Sequence, residues 1–540
     1  MTATTQAVTG LKTGPRNSFI GSIAEVEAAI WLIAAFTILR LVSIGLVGLG
    51  VDETYSLAIA RHLHLSYFDH PPMHLWIVHA FSPVLGYGRL ARLPFIFLFV
   101  GSSWLLFDLT RQLFGSRPAL WALLSFNLCG FFTVAASSWV LPDGPLIFFL
   151  LMGAVELSRL TFPRNGQASG VTSQTFTWLR IGLWIGLAGL SKYQAVIFGL
   201  GVALFLVSTV SGRAWLKQPG PYLASVLAAA VISPVIFWNA QNQWASFVFQ
   251  GGRATSSHGA RPGAVLSALA GQMVLLLPWM FAPLAVAAHG AVRAGPADPR
   301  RWLCVTLGVP GVLLFALTPI WGQTALPHWS MPSWLFLLPL CGDLLARSAE
   351  RHRWPKTFAL LVTLLLFALW GLLISDAATG WFGAAWPKTF TKGDPTLETV
   401  EWGRLPRSPD VAALLAKPGN FIVSMKWNEA GRIVAAVSDQ FPVVVLSNDP
   451  RGFADNLSLT PRTGHDALIV VKREDLKDGL GRARKCFEKV EPLQVMTVGR
   501  LRRSEMQLYL FAGRRFLPAC SQIGDRSPEA RSQSAALKAS

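Results

Sequence analysis

The segment PMHLWIVHAFSPVLGY, residues 72–87, decides how this chain is threaded. It is apolar but short, carries His74 and His79, and has Pro83 inside it. A helix that crosses a bilayer needs about 20 apolar residues. The segment therefore either crosses under strain or lies along the membrane surface. Charge separates the two. Eleven other apolar runs surround it, at roughly 25–48, 90–110, 118–138, 144–160, 178–191, 194–211, 221–240, 264–290, 302–320, 328–346 and 357–377. With the N-terminus inside and 72–87 not crossing, the inner loops (1–24, 111–117, 159–177, 212–220, 291–301 and 347–356) hold fifteen Lys and Arg. The outer loops up to the last run hold Arg61, Arg89, Lys192, Arg253 and Arg261. Basic residues collect on the cytoplasmic side. Were 72–87 to cross, every later loop would flip and the excess would reverse. Residues 72–87 are thus expected at the interface, with the loop 50–89 and everything after 377 facing outward.

The expected fold class is an α-helical polytopic membrane protein of about eleven transmembrane helices with a C-terminal α/β domain. Only 14% of residues are charged and 52% are hydrophobic, against about a quarter charged in soluble proteins, which excludes that class. The net charge of +18 lies largely in short loops. Topology and anionic headgroups account for it, and no nucleic acid is needed. The expected order is a cytoplasmic tail 1–24, a membrane domain 25–377, an outer domain 378–520 and a disordered tail 521–540. Within the outer domain, 421–426, 442–446, 467–472 and 507–513 read as strands, and 428–438 and 476–487 as helices. Cys129, Cys304 and Cys341 fall in apolar runs as packing residues. Cys486 and Cys520 can pair if that domain lies outside the cytosol.

The stretch VDETYSLAIARHLHLSYFDHPPMHLW (51–76) hangs off the first apolar run. It opens on Asp52 and Glu53, which read either as a solvated helix end or as an outward general base beside a lipid surface. Asp143, in VLPDGP, is a good helix N-cap and equally a second outward acid. Lys192, between two runs with almost no loop, either snorkels to the headgroups or offers a cation to an anionic group. Arg253, Arg89 and His70 add to such a positive pocket. A departing phosphate needs cations because charge grows on it as its bond breaks. Trp238-Asn239, in the amide-rich loop 238–244, reads as aromatic belt or as a sugar-stacking surface. His328, before Trp329, has the same two readings. No metal-binding spacing such as CxxC or HExxH occurs. A divalent metal bridging the acids to a phosphate is left open as a possible cofactor.

Taken in order, the acidic pair after the first span, YFDHPPMHLW (67–76), PDGP (142–145), GLSKYQAV (189–196) and SPVIFWNAQNQWASFVFQGGR (233–253) resemble the bacterial branch of the GT-C membrane glycosyltransferases. The relevant group is the protein O-mannosyltransferase and lipid A aminoarabinose transferase family, and the resemblance spans about 25–345. It implies a polyprenyl-phosphate sugar donor, a lipid or glycan acceptor such as lipopolysaccharide, and inverting transfer at the periplasmic face of the cell inner membrane. It implies Asp52 as the catalytic acid with Glu53 beside it, Asp143 as a second acid, and Lys192 as a phosphate-binding lysine. Aminoarabinose transferases carry Lys before the double proline, where this chain has His70, and its first outer loop is shorter. The look is closer to galacturonosyltransferase-like members. The alternative class is a transporter or flippase for a lipid-linked or anionic solute. That class places ionisable residues at mid-membrane and often repeats its halves; here the charges sit at outer span ends and no repeat is seen.

Overall fold

A backbone in lipid must satisfy its own hydrogen bonds, so long apolar runs become helices. The computed structural model describes residues 15–163, 170–255, 261–321, 325–390, 396–438, 440–456, 459–500 and 506–521. Among the described residues six helices are long and apolar enough to cross a membrane: Ile23–Leu46, Arg89–Phe114, Asp143–Thr161, Gly220–Gln241, Pro299–Trp321 and Trp354–Thr379. Two bent pairs raise the number to eight, Ser116–Leu128 with Gly130–Ser138 at 75° and Ala264–Leu276 with Pro278–Ala297 at 110°. The sharper bend has a local cause. Leu277 takes φ 72 immediately before Pro278, and a residue before proline is pushed out of the helical region. The other three apolar runs are helical too, as Val171–Ser191, Ala195–Ser208, and Met331–Leu335 followed by Leu338–Arg351. Apolar runs thus locate helices; of these three, Val171–Ser191 is 21 residues long, while Ala195–Ser208, with 14, is short for a span.

Residues 72–87 form one helix, Met73–Leu85, of 13 residues. At 1.5 Å per residue it reaches about 20 Å, short of the roughly 30 Å hydrocarbon core. The first helix begins at Pro15, inside the segment read as a tail, and runs to Leu46; residues 1–14 lie outside the described set. Helices Val171–Ser191 and Gly220–Gln241 lie backbone to backbone. A Cβ at Gly182, Gly186 or Gly189 would collide with Ala224, Val231 and Ile232, the small-residue contact usual between membrane helices.

The C-terminal part carries a five-stranded sheet of β1 (Phe421–Ser424), β2 (Val443–Val445), β3 (Ala467–Lys472), β4 (Phe487–Val498) and β5 (Met506–Phe516). The order is β2-β1-β3-β5-β4. β2, β1 and β3 are parallel, and β5 is antiparallel to both β3 and β4. β1 is fully buried, as is β3 up to Lys472, which is why they read as continuous apolar runs. β4 has no such signature. It is an edge strand, charged on its outer positions and carrying Pro492 at a register shift, and edges are where a proline is tolerated. Cys486, ending the helix Leu476–Cys486, is disulfide-bonded to Cys520 with Cα atoms 5.3 Å apart. Of the segment 521–540 only Ser521 is described.

This domain sits directly on the loop 50–89. Helix Val51–Ile59 packs along helix Trp427–Val437 so closely that a Cβ at Gly431 would fall 2.6 Å from the Tyr55 nitrogen. One hydrophobic cluster joins Tyr55, Leu57, Ile59 and Tyr67 of the loop to Trp402, Leu405 and Ile433 of the domain.

Candidate active site

Glu53 anchors the loop. Its carboxylate accepts from the Gly50 nitrogen at 2.9 Å, closing the first turn of helix Val51–Ile59. It also accepts from Arg92 Nε and Nη2 at 2.8 and 2.5 Å and from the Val140 nitrogen at 3.2 Å. Arg92 in turn donates to the Val47 and Gly48 carbonyls at 2.8 Å. Both side chains are buried. Glu53 is not among the residues lining the cavity described next. Adjacent residues on a helix diverge by about 100°, so Asp52 faces the other way.

Asp52 opens onto a cavity of about 690 Å³ at the helix ends that face the C-terminal domain. Among the described residues no ion pair includes it. The surrounding protein desolvates its carboxylate, Glu398, Asp69 and Glu53 repel its charge, and Arg451 opposes them; the balance raises its pKa above the ordinary aspartate value. Asp143, the first residue of helix Asp143–Thr161, is deeply buried in another wall. It is bound twice by Lys192 Nζ, at 2.9 and 3.0 Å. Lys192 caps the end of helix Val171–Ser191 in extended conformation, which is how a lysine between two helices reaches a cavity. His70 and His328 line the same space and act electrostatically on Asp143. Behind His70, 5.7 Å between ring centroids, lies His74. Burial first, then His70 and Lys192, push its pKa well below the usual histidine value.

The far wall comes from residues that sequence reading did not single out. Tyr55 Oη donates to Asp69 Oδ1 at 3.1 Å and accepts from the Gly452 nitrogen at 3.0 Å. Gln250 donates to the Asp69 carbonyl at 2.5 Å. Trp427 and Arg451, both from the C-terminal domain, complete the lining. Asp69 was visible within YFDHPP. Nothing in NDPRGF (448–453) ties Arg451 to a loop nearly four hundred residues earlier.

Two expected contacts lie elsewhere. Trp238 and Asn239 are buried at the end of helix Gly220–Gln241 and are absent from the cavity lining. Asn239 Oδ1 accepts from the Ser246 and Phe247 nitrogens at 3.1 and 3.3 Å. It holds a turn in which Gln243 and Trp244 both take positive φ, and that turn brings helix Ala245–Thr255 over the loop. Arg253 is on this helix; its side chain lies outside the described residues. Among the described residues no three His, Cys, Asp or Glu side chains group as a metal-binding set.

An apolar groove of about 640 Å³ runs along helices Val171–Ser191, Ala195–Ser208 and Gly220–Gln241. It extends from Trp178 and Tyr222 to Tyr193 and Phe247, and Tyr193 and Val196 line both groove and cavity. The apolar groove therefore ends at Tyr193, next to Lys192 in the chain.

Residues 69–238 match the family model described as dolichyl-phosphate-mannose-protein mannosyltransferase. The chain is 25% identical over 355 residues to the lipid A galacturonosyltransferase RgtD of Rhizobium johnstonii, covering 64% of this chain and 71% of that protein. Its fold is similar to that of ArnT from Cupriavidus metallidurans in the apo state, with a TM-score of 0.61, 16% identity, and 90% of this chain and 98% of that chain covered. The same ArnT bound to undecaprenyl phosphate superposes with a TM-score of 0.56 and 17% identity, covering 89% and 97%.

Proposed function

Because the chain is a membrane glycosyltransferase of the GT-C fold, we propose that it transfers a sugar from a polyprenyl phosphate to a hydroxyl of an envelope glycolipid of the lipid A class. The reaction takes place at the periplasmic face of the inner membrane. The observation that carries this reading is the junction at Tyr193 and Val196. There a groove lined by apolar side chains meets a polar cavity lined by Asp52, which among the described residues joins no ion pair, and by the cations Lys192 and Arg451. A prenyl chain fits the groove, and its phosphate then falls beside Lys192. ArnT holding undecaprenyl phosphate and RgtD acting on lipid A support the donor and acceptor classes. The Cys486–Cys520 bond supports an oxidising compartment for the C-terminal domain, as does the inward excess of Lys and Arg.

In this mechanism Asp52 takes the proton of the acceptor hydroxyl. The oxygen attacks the anomeric carbon from the side opposite the phosphate, so the configuration inverts. The bond from that carbon to the phosphate oxygen breaks and its electron pair leaves with the phosphate. Lys192, His70 and His328 meet the growing negative charge. Asp143 fixes the Lys192 ammonium and lowers the charge the pocket presents when empty. Glu53 positions the loop through Arg92.

The test is mass spectrometry of lipid A and membrane lipids from a strain lacking the protein, complemented with wild type or with Asp52→Asn. Wild type alone should restore one missing sugar mass. Equal restoration by Asp52→Asn removes Asp52 as the base.

A further inference from the structure

A second cavity, of about 390 Å³, lies on the other side of helix Val51–Ile59. Asp52, Tyr55 and Ser56 line the cavity described above, whereas Thr54 lines this one. Residues two apart on a helix diverge by about 200°, so Asp52 and Thr54 look in opposite directions. The other walls bring Tyr87 and Arg89 from the membrane part and Trp402, Arg407 and Arg432 from the C-terminal domain. Three guanidinium side chains thus share one lining carboxylate, Glu401, and Arg89 Nε already donates to it at 2.8 Å. Arg432 is 3% exposed, yet among the described residues no ion pair includes it. Its Nη2 donates to the Glu398 carbonyl at 2.6 Å, while its Nε and Nη1 are buried and meet no acceptor among the described residues. The same holds for Nε1 of Trp402, whose ring centroid stands 5.6 Å from the Arg432 guanidinium carbon. Buried donors without acceptors are costly, charged ones most of all. On the walls of one cavity they fit an anion.

The level of the cavity names the kind of anion. Arg89 opens the span Arg89–Phe114, and its Nη1 donates at 2.7 Å to the Gly45 carbonyl near the end of the span Ile23–Leu46. Leu46 and Leu90, close to Arg89 at those span ends, are 46% and 51% exposed, as side chains against lipid are. Arg89, expected from sequence beside a donor phosphate, is absent from the lining of the Asp52 cavity. Span ends are where lipid headgroups lie. We propose that this second cavity binds the phosphate of an anionic membrane lipid, its oxygens accepting from Arg432 and Arg407 while the acyl chains stay against the exposed leucines. Guanidinium groups suit phosphate oxygens, and the volume is within the range of small-ligand sites. Such a lipid touches both the membrane part and the C-terminal domain, so its binding ties the two together.

The test follows thermal unfolding of the full-length protein in neutral detergent as phosphatidylglycerol, phosphatidylcholine or inorganic phosphate is added. Phosphatidylglycerol should raise the midpoint saturably, because a ligand held by the folded state stabilises it. Phosphatidylcholine, whose phosphate is offset by its own cation, should not, and inorganic phosphate should act only at far higher concentration. Arg432→Gln should raise the half-saturating concentration of phosphatidylglycerol about 10–100-fold, the scale of a hydrogen bond to a charged group. Arg407 is exposed, so Arg407→Gln keeps the test open should the buried substitution fail to fold; it should raise that concentration at least about twofold. Arg484→Gln removes the same charge from an exposed position of the same domain outside the cavity and should leave binding unchanged. The proposal falls if the wild type shows no saturable shift, or responds equally to the two lipids, or equally to lipid and inorganic phosphate. It falls as well if Arg407→Gln binds like the wild type or no worse than Arg484→Gln. None of these outcomes depends on sugar transfer, so the function proposed above stands or fails separately.

Discussion

Asp52 and Glu53 are neighbours of the same charge, and the structure predicts opposite phenotypes for them. Glu53→Gln keeps the shape of the side chain and removes its charge. The Glu53 side chain is 1% exposed and that of its partner Arg92 3%, so the substitution strands a buried guanidinium. Breaking a buried ion pair by removing one partner costs about 3–5 kcal/mol. Four hydrogen bonds converge on this carboxylate, two of them from backbone nitrogens that fix the turn at Gly50 and the segment at Val140. Glu53→Gln should therefore lower the thermal midpoint of the purified protein by several degrees and reduce its yield in membranes. At low temperature the folded fraction should still transfer sugar. A second substitution, Arg92→Gln, should recover only part of the stability. It removes the stranded charge but also the bonds to the Val47 and Gly48 carbonyls. Asp52→Asn should do the reverse, leaving the midpoint within about a degree and cutting kcat by roughly 10²–10⁴, the range for losing a general base. The paired assay is fluorescence-monitored unfolding beside sugar transfer from a prenyl-linked donor. Glu53→Gln with an unchanged midpoint and no transfer would refute the division of labour argued here and move Glu53 into the chemistry.

Two further predictions concern the base and the groove. A base must be unprotonated, and burial with Glu398, Asp69 and Glu53 raises the Asp52 pKa. The acid limb of kcat/KM should therefore lie at higher pH than an unperturbed aspartate gives; Glu398→Gln should move it down and Arg451→Gln up. pH–rate profiles check this, and a limb unmoved by both assigns the base elsewhere. Gly199 lines the apolar groove, and a Cβ built there meets nothing within 4 Å. Gly199→Trp should thus fill the groove without strain, raising KM for long-chain donors and sparing short-chain ones; equal effects on both would place the prenyl chain outside the groove.

Much of the candidate site was legible because carboxylates at span ends stand out against lipid-facing sequence. Asp52, His70, Asp143, Lys192 and His328 all line one cavity, and each was marked by a polar group where apolar residues are the rule. Trp238 and Asn239 carried the same signal, yet they do not line this cavity. An amide-rich, indole-flanked loop looks like a sugar surface, but the Asn239 carboxamide is consumed in holding its own turn. Hydrogen-bond demand inside a turn leaves the same composition as hydrogen-bond supply to a ligand.

The sequence alone determined the class of protein, the placement of helices, the interfacial character expected of 72–87 and the α/β nature of the C-terminal part. These follow from periodicity, run length and charge, which are local quantities. Tertiary structure decided what each polar residue is for. Glu53 is given to Arg92 and Asp143 to Lys192, while Asp52, chemically the same as Asp143, opens onto the cavity. It also brought Trp427 and Arg451 to a loop far away in the chain. An ionisable group takes its role from the charge and solvent around it, and those neighbours are set by packing between elements distant in sequence.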